Sequence, residues 1–469
     1  MDLVIKNGTV VLATEAFNGD IAIKDGRIAG LSLPGTFSAR EEIDASGCLV
    51  MPGAIDAHTH FALPVMGTVT ADDFQTGSRA CAAGGVTTFI DFATQQKGKT
   101  ILDAIQARRS EADSRVFVDY SLHAALTDFT PDTLASIPKI VEMGIPSIKL
   151  YLIYANEGLM ADDGAIMAVL QEARDNGAIV GVHAENNAII ERRTASLMAE
   201  GKKAPQWHAV SRPHYVEVEA LRRMLFFTEI TASRLYVFHL TTAEGTRLIG
   251  EAKGKGMTVF AETCPQYLLL TDEKYNGPEG HQFVGCPPLR KSIDNEMLWR
   301  GLAVGAIQVV STDHCSFSRA QKDAHRDDFS AIPRGLPGVE TLLPLLYSEG
   351  VRKGHINVNQ LVEVLSTNPA KLFGLFPRKG TLAPGSDADI VIFDPAGKTT
   401  LQAGKLHMNT DFSPYEGMEV TGAPRVTILR GQVIYRDGEI TGKEGYGRFV
   451  PRQYSDVALE FSGSSPMRM

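Results

Sequence analysis

His58-Thr59-His60 places two imidazoles at alternate positions of the chain. In an extended segment residues i and i+2 point the same way, so both rings face one spot. Imidazole is a preferred ligand of divalent transition metals. Four more residues suited to that task follow at intervals, each within or just after a short apolar run: Lys149, His183, His239 and Asp313. Any one of them has an ordinary reading as a satisfied polar group at a strand end. Together they form a constellation with the chemistry of a metal site. The other histidines, of which His123 and His314 are the nearest rivals, are read as structural or surface residues.

Lys149 is the unusual member. It lies in Ser147-Ile148-Lys149-Leu150-Tyr151, where a charged amine is costly to bury. The ordinary readings are a snorkelling surface lysine or one paired with a carboxylate. The chemical reading is that a neutral, desolvated amine adds CO₂ and becomes a carbamate. That anion offers two oxygens. Two divalent cations about 4 Å apart repel strongly and need such a bridge.

These residues need a frame that brings them together. Eight short apolar runs rich in β-branched residues occur at Ala54–Asp56, Thr87–Asp91, Val116–Ser121, Ile148–Tyr151, Ile179–Val182, Leu235–Phe238, Thr258–Ala261 and Gln308–Val310. Amphipathic stretches of helical length separate most of them, such as Ala161–Asn176, Glu217–Ile230 and Ile293–Ala303. Strands alternating with helices imply a parallel sheet, and eight units in this length suit a (β/α)₈ TIM barrel, an α/β fold. An open doubly wound sheet needs a Gly-rich phosphate loop after its first strand, and Gly53-Ala54-Ile55-Asp56 offers none. Barrel active sites sit at the C-terminal ends of the strands. Five of the eight expected ends carry a ligand-type group.

Both chain ends read differently. Leu3–Ile5, Thr9–Val11, Asp20–Ile23 and Arg27–Ala29 are short strand-like runs parted by turn signals at Asn7-Gly8 and Asp25-Gly26. The texture returns at Asp389–Phe393 and Val426–Leu429. The expected organisation is a small β-sandwich from residues 1–53 and 377–449, the barrel over 54–376, and a tail or oligomer arm over 450–469.

Composition narrows the class. The 469 residues are 44% hydrophobic and 22% charged, with net charge −9 from 46 basic and 55 acidic side chains. That fits a soluble globular protein and argues against nonspecific nucleic-acid binding. No apolar run is long enough to span a bilayer, and the first residues do not form a signal peptide. The five cysteines are odd in number and form no CxxC pair, which disfavours a disulfide framework or a cysteine zinc site. A reducing cytoplasm is expected.

Eight ordered motifs carry a resemblance. They are Pro52-Gly53-Ala54-Ile55-Asp56-Ala57-His58-Thr59-His60, Ala83-Gly84-Gly85-Val86-Thr87-Thr88, Ser147-Ile148-Lys149, Val182-His183-Ala184-Glu185-Asn186, Ser211-Arg212-Pro213, Val237-Phe238-His239, Glu262-Thr263-Cys264-Pro265-Gln266-Tyr267 and Ser311-Thr312-Asp313-His314. Over essentially its whole length the chain resembles the hydantoinase/dihydropyrimidinase family of the amidohydrolase superfamily. The resemblance implies two divalent ions, usually Zn²⁺, held by His58, His60, His183, His239, Asp313 and a carboxylated Lys149. It implies hydrolysis of the cyclic amide of dihydropyrimidines or 5-substituted hydantoins to N-carbamoyl amino acids, and a homotetramer. Asp313 is then the expected general base, and Tyr154 the expected donor to the oxyanion.

Two positions depart from the family pattern. Cys286 stands where the family commonly has Ser, and Arg334 where it commonly has Asn. In the family those positions hold the ring largely through backbone groups, so the resemblance implies that ring binding survives both changes. Arg334 either reaches an anionic substituent on the ring or points to solvent. Leu63, Val65, Met66 and Tyr151 form an apolar pocket for a substituent if the first loop folds over the site. Allantoinase-like and dihydroorotase-like readings are disfavoured, because Phe61-Ala62-Leu63-Pro64 lacks the residues those branches carry after the His-x-His pair. A non-catalytic assembly protein of this fold is expected to lose metal ligands, and all six positions are filled here.

Overall fold

The computed structural model describes residues 1–454. Its centre is a parallel sheet of eight strands in chain order: Ala54–Thr59, Val86–Thr94, Asp119–Ala125, Ser147–Tyr151, Ile179–His183, Leu235–Val237, Val259–Thr263 and Val309–Val310. The ring closes where Thr59 bridges His314 in parallel and the His60 amide donates to the His314 carbonyl at 2.8 Å. Helices cover the outside. Three of them, Asp163–Asp175, His214–Thr231 and Ser292–Ala303, lie on the expected amphipathic stretches.

The third strand starts later than the apolar run suggested, and continues through His123 to Ala125. The polar residue is tolerated because its ring is fully paired. Its Nδ1 lies 2.7 Å from Ser147 Oγ and its Nε2 2.9 Å from the Ala57 carbonyl. His123 is thus a structural histidine, as its sequence context suggested.

A bulge in the first strand aims the two leading histidines. Ile55 and Ala57 belong to the same interior cluster as Ile90, Phe92, Tyr236 and Phe238. Strict alternation would continue that set to position 59. The register instead shifts between Asp56, opposite Phe89, and Thr59, opposite Asp91. One extra residue turns the inward-facing set from odd to even numbers, so His58 and His60 face the interior.

Nine strands from both chain ends form a second sheet. Leu3–Val11, Ala16–Lys24, Arg27–Ser32, Glu41–Asp44 and Leu49–Pro52 come from the first part of the chain. Ile390–Thr400, Glu419–Leu429, Gln432–Arg436 and Glu439–Ile440 come from the last part. The halves join where Leu49–Pro52 runs antiparallel to Ile390–Phe393, over a shared core including Ile5, Val50, Ile390 and Ile428. Asn7-Gly8 is a bulge within one nine-residue strand and not the expected turn, with Asn7 at φ 60°. Asp25-Gly26 does form a hairpin turn, both residues having positive φ.

Residues 450–454 pack on the base of the barrel. Arg452 is buried and donates to Ser121 Oγ and Ser147 Oγ, each at 2.8 Å. The remainder of the expected tail, 455–469, lies outside the described residues. Among the described residues, no helix is long and apolar enough to cross a membrane.

Candidate metal centre

All six sequence-predicted ligands line one cavity of about 850 Å³ at the C-terminal ends of the barrel strands. Three of them converge closely. His58 Nε2 lies 3.2 Å from His60 Nε2, and Asp313 Oδ1 lies 3.1 Å from both. Ligand atoms held about 2.0–2.1 Å from a zinc ion in a tetrahedron are about 3.3–3.4 Å apart, so this spacing fits a shared cation. His183 and His239 stand beside them with ring centroids 4.4 Å apart, and the His58 and His239 rings are 5.5 Å apart. His239 Nδ1 is buried and has no hydrogen-bond partner. An orphaned buried nitrogen of this kind is uncommon in folded proteins and accords with a ligand site.

The electrostatics point the same way. Burial alone would lower the His58 imidazole, but the Asp313 and Glu262 carboxylates lift it to about 9. The two carboxylates thus favour a cation at the point where the three side chains meet. Burial lowers His60, His183 and His239, leaving neutral rings with free lone pairs. Despite its burial, Asp313 is held well below the usual carboxylate range by His58 and His60.

Lys149 is 1% exposed, and its Nζ lies 3.7 Å from the centre of the Phe238 ring and 5.3 Å from those of Phe92 and Tyr151. Desolvation lowers its amine to about 7, so a large share is neutral near neutral pH. It is neither a snorkelling residue nor part of an ion pair among the described residues. It is a buried amine facing the cavity that His58, His183 and His239 also face.

Three site residues are in strained backbone. His239 has φ 39° and Asp313 φ 52°, two and three residues past the ends of their barrel strands. Tyr154, on the loop after the fourth strand, has φ 70°. Left-handed geometry in non-glycine residues costs about 1–3 kcal/mol each and clusters where function holds side chains in place. The Tyr154 ring packs against His183, centroids 5.3 Å apart. Burial raises its phenol well above the ordinary tyrosine range, which keeps it a neutral O–H donor.

The first loop does fold over the cavity. It forms a hairpin, Pro64–Val65 with Thr68–Val69, closed by Met66-Gly67 with both residues at positive φ. Thr70 pins its base, accepting from the Leu63 amide at 2.8 Å and donating to the His60 carbonyl at 3.0 Å. Leu63, Val65, Met66 and Tyr151 all line the cavity, as do Tyr154, Cys286 and Arg334. The Arg334 side chain is 18% exposed and lies over the Tyr154 ring, so it does not simply point to solvent.

Two carboxylates that position ligands carried no assignment in the sequence reading. Glu262 Oε1 lies 2.5 Å from His58 Nδ1, and Glu262 also accepts from Tyr236 Oη and the His239 amide. Glu185 Oε2 lies 2.8 Å from both His183 Nε2 and an Arg212 nitrogen. The signal for Glu262 was present: it follows the seventh apolar run, where the strand-end rule looks for functional groups. His314, the other rival histidine, is structural. It sits 3.1 Å from Asp72 Oδ2 through Nε2, and its Nδ1 accepts from the Gly338 and Val339 amides. A second acidic cluster, Asp119, Asp387 and Asp389, is already filled by the Lys379 ammonium, 2.8, 3.5 and 2.5 Å from the three carboxylates.

Comparison with known proteins gives consistent matches. The model of the amidohydrolase family matches residues 49–434. The D-hydantoinase of Geobacillus stearothermophilus is 44% identical over 456 residues, covering 96% of this chain and 97% of that one. The D-phenylhydantoinase of Escherichia coli strain K12 is 42% identical over 459 residues, covering 97% and 98%. Among solved structures, the dihydropyrimidinase from Brevibacillus agri NCHU1002 superposes with a TM-score of 0.95 at 41% identity, covering 97% of this chain and all of that one.

Proposed function

The chain belongs to the amidohydrolase family, in its hydantoinase and dihydropyrimidinase branch, and on that premise we propose how its residues open a cyclic amide. It is a hydrolase that cleaves the ring C–N bond of dihydropyrimidines or 5-substituted hydantoins, yielding N-carbamoyl amino acids. The observation that carries the reading is the convergence of His58 Nε2, His60 Nε2 and Asp313 Oδ1 within 3.2 Å, beside Lys149, His183 and His239.

The six residues would hold two divalent ions, with zinc among those that imidazole and carboxylate donors suit, and Lys149 would be carried as its carbamate. Such ions supply a Lewis-acidic centre that acidifies water and polarises a carbonyl. The chain's own groups do the rest. Lys149, neutral in part at pH 7, forms the N–C bond to CO₂ and releases a proton, giving an anion with two oxygens that could serve as donors in the cavity. Asp313 stays ionised and takes the proton of the attacking water. It returns that proton to the ring nitrogen as the C–N bond breaks. Tyr154 donates its phenolic hydrogen to the carbonyl oxygen as charge develops there. Leu63, Tyr151, the hairpin side chains, Cys286 and Arg334 line the pocket that receives the ring and its substituent.

Exposed apolar side chains suit a contact between subunits, as the expected homotetramer requires. Phe226 and Ile230, one helical turn apart on His214–Thr231, are 57% and 54% exposed. The five cysteines are free thiols, which suits the cytoplasm.

The test is a set of initial ring-opening rates of metal-loaded protein on dihydrouracil, 5-substituted hydantoins, allantoin and dihydroorotate. Preference for dihydrouracil or a hydantoin is expected. Turnover of none of them, with two metals bound per chain, would reject the reading.

A further inference from the structure

Arg334 has a fixed base and a loosely held head. Its carbonyl lies 3.9 Å from Cys315 Sγ, the next amide, of Gly335, donates to the Val284 carbonyl at 3.1 Å, and Leu336 bridges His314. Gly335 has no room for a side chain, because an added Cβ would fall 2.4 Å from the Cys315 carbonyl oxygen. The backbone is therefore set. The guanidinium is not. Among the described residues it makes one long hydrogen bond, 3.3 Å to the Ser330 carbonyl, and one distant ion pair, 3.8 Å to Glu157, whose side chain is 43% exposed. A guanidinium has five N–H donors in a planar fork, so most of them are uncommitted here.

The other arginine lining this cavity is different. Arg108 is held by Asp91 and Glu111, both at 2.5 Å, and so is neutralised within the wall. Arg334 is the cavity arginine with spare donors. It stands 6.0 Å from the centre of the Tyr154 ring, which in turn lies 5.3 Å from His183. Arg334 and His183 thus both neighbour the Tyr154 ring, which limits the arm needed to join the reacting end of the cavity to Arg334. Its partner would be planar, anionic and on a short arm.

We propose that Arg334 is a specificity residue that takes a carboxylate on the ring substituent, so that the preferred substrates are cyclic amides carrying a short carboxyalkyl arm. The carboxylate displaces the distant Glu157 contact and is held by two parallel N–H bonds. The inference rests on the cyclic-amide reading above and names the substrate class within it.

The experiment compares two near-isosteric substrates, 5-(2-carboxyethyl)hydantoin and its neutral carbamoyl analogue, on the metal-loaded wild-type, Arg334→Gln and Arg334→Lys proteins. Wild type is expected to favour the carboxylate in kcat/KM by about tenfold or more, the size of a charge-assisted bidentate contact. In Arg334→Gln that preference should vanish, mainly through a higher KM for the carboxylate. Arg334→Lys should restore part of it. Equal loss on both substrates would mean that Arg334 acts only through Tyr154, and would overturn the proposal. So would a wild type with no preference, or one that opens dihydrouracil and unsubstituted hydantoin but neither test substrate. Failure on every cyclic amide would instead reject the functional reading, and the proposal with it. Unchanged thermal midpoints of the variants exclude misfolding as the cause.

Discussion

Glu262 holds His58 by its Nδ1, the carboxylate oxygen 2.5 Å from the ring nitrogen, while His58 Nε2 faces His60 and Asp313. The carboxylate fixes the tautomer: Nδ1 keeps the hydrogen and Nε2 keeps the lone pair. Partners of this kind orient a ligand and raise its basicity, and their loss weakens metal affinity about 10–100-fold. Glu262→Gln should therefore bind zinc at least about tenfold more weakly, measured by competition with a chromogenic chelator. The protein should still fold, because glutamine can accept from Tyr236 Oη. Unchanged zinc affinity would show that His58 is oriented by its packing against Phe92 and Phe238 alone.

Lys149→Ala should lose both metals and activity. The variant keeps the barrel, since alanine fits a buried strand, but it cannot form the bridging carbamate. Acetate or propionate with bicarbonate should restore part of the metal content and rate, by placing a free carboxylate in the vacated space. Elemental analysis and ring-opening rates read both effects. Full activity without Lys149 would remove the carbamate from the mechanism.

Much of this site was legible because chemistry-bearing residues broke local rules. His58-Thr59-His60 has the two-residue period of a strand, and Lys149 interrupts an apolar run where a charge is costly. The strand-end rule then collected His183, His239 and Asp313 without knowledge of the strand order. What escaped depends on neighbours distant in the chain. Glu262 matters because the seventh strand lies beside the sixth, which brings it to His239 and across the interior to His58. The first-strand bulge is set by pairing with Val86–Thr94, and alternation within one strand cannot reveal it. Asn7-Gly8 shows the same limit, since an Asn-Gly pair serves a turn or a bulge equally well. The hairpin over the cavity was only conditional, although Met66-Gly67 can supply its turn.

Tyr154→Phe removes one hydrogen-bond donor and little volume. If Tyr154 donates to the oxyanion, kcat should fall about 10²–10³-fold with KM changed much less. The strained φ of 70° should persist, because it is set by the loop and not by the hydroxyl. Steady-state kinetics on the best hydantoin decide it. An unchanged kcat would leave Tyr154 as a wall of the pocket.

Lys322 gives a stability prediction away from the ligands. Its side chain is fully buried, it donates to the Val284 carbonyl at 2.7 Å, and no carboxylate pairs with it among the described residues. Desolvation lowers its amine from 10.5 to about 7. Between those values the unfolded chain holds the proton and the folded chain does not. Stability from this group therefore rises with pH across that window, by about 1.4 kcal/mol per unit at most, and is flat outside it. Lys322→Met removes the titration and one of the two donors to the Val284 carbonyl, which keeps the Gly335 amide, so the loss that does not depend on pH is about 0.5–1.5 kcal/mol. The variant should compare best with wild type near pH 7 and progressively worse toward pH 10. Thermal midpoints of both proteins across that range test it, and a difference independent of pH would show that Lys322 stays protonated in the fold.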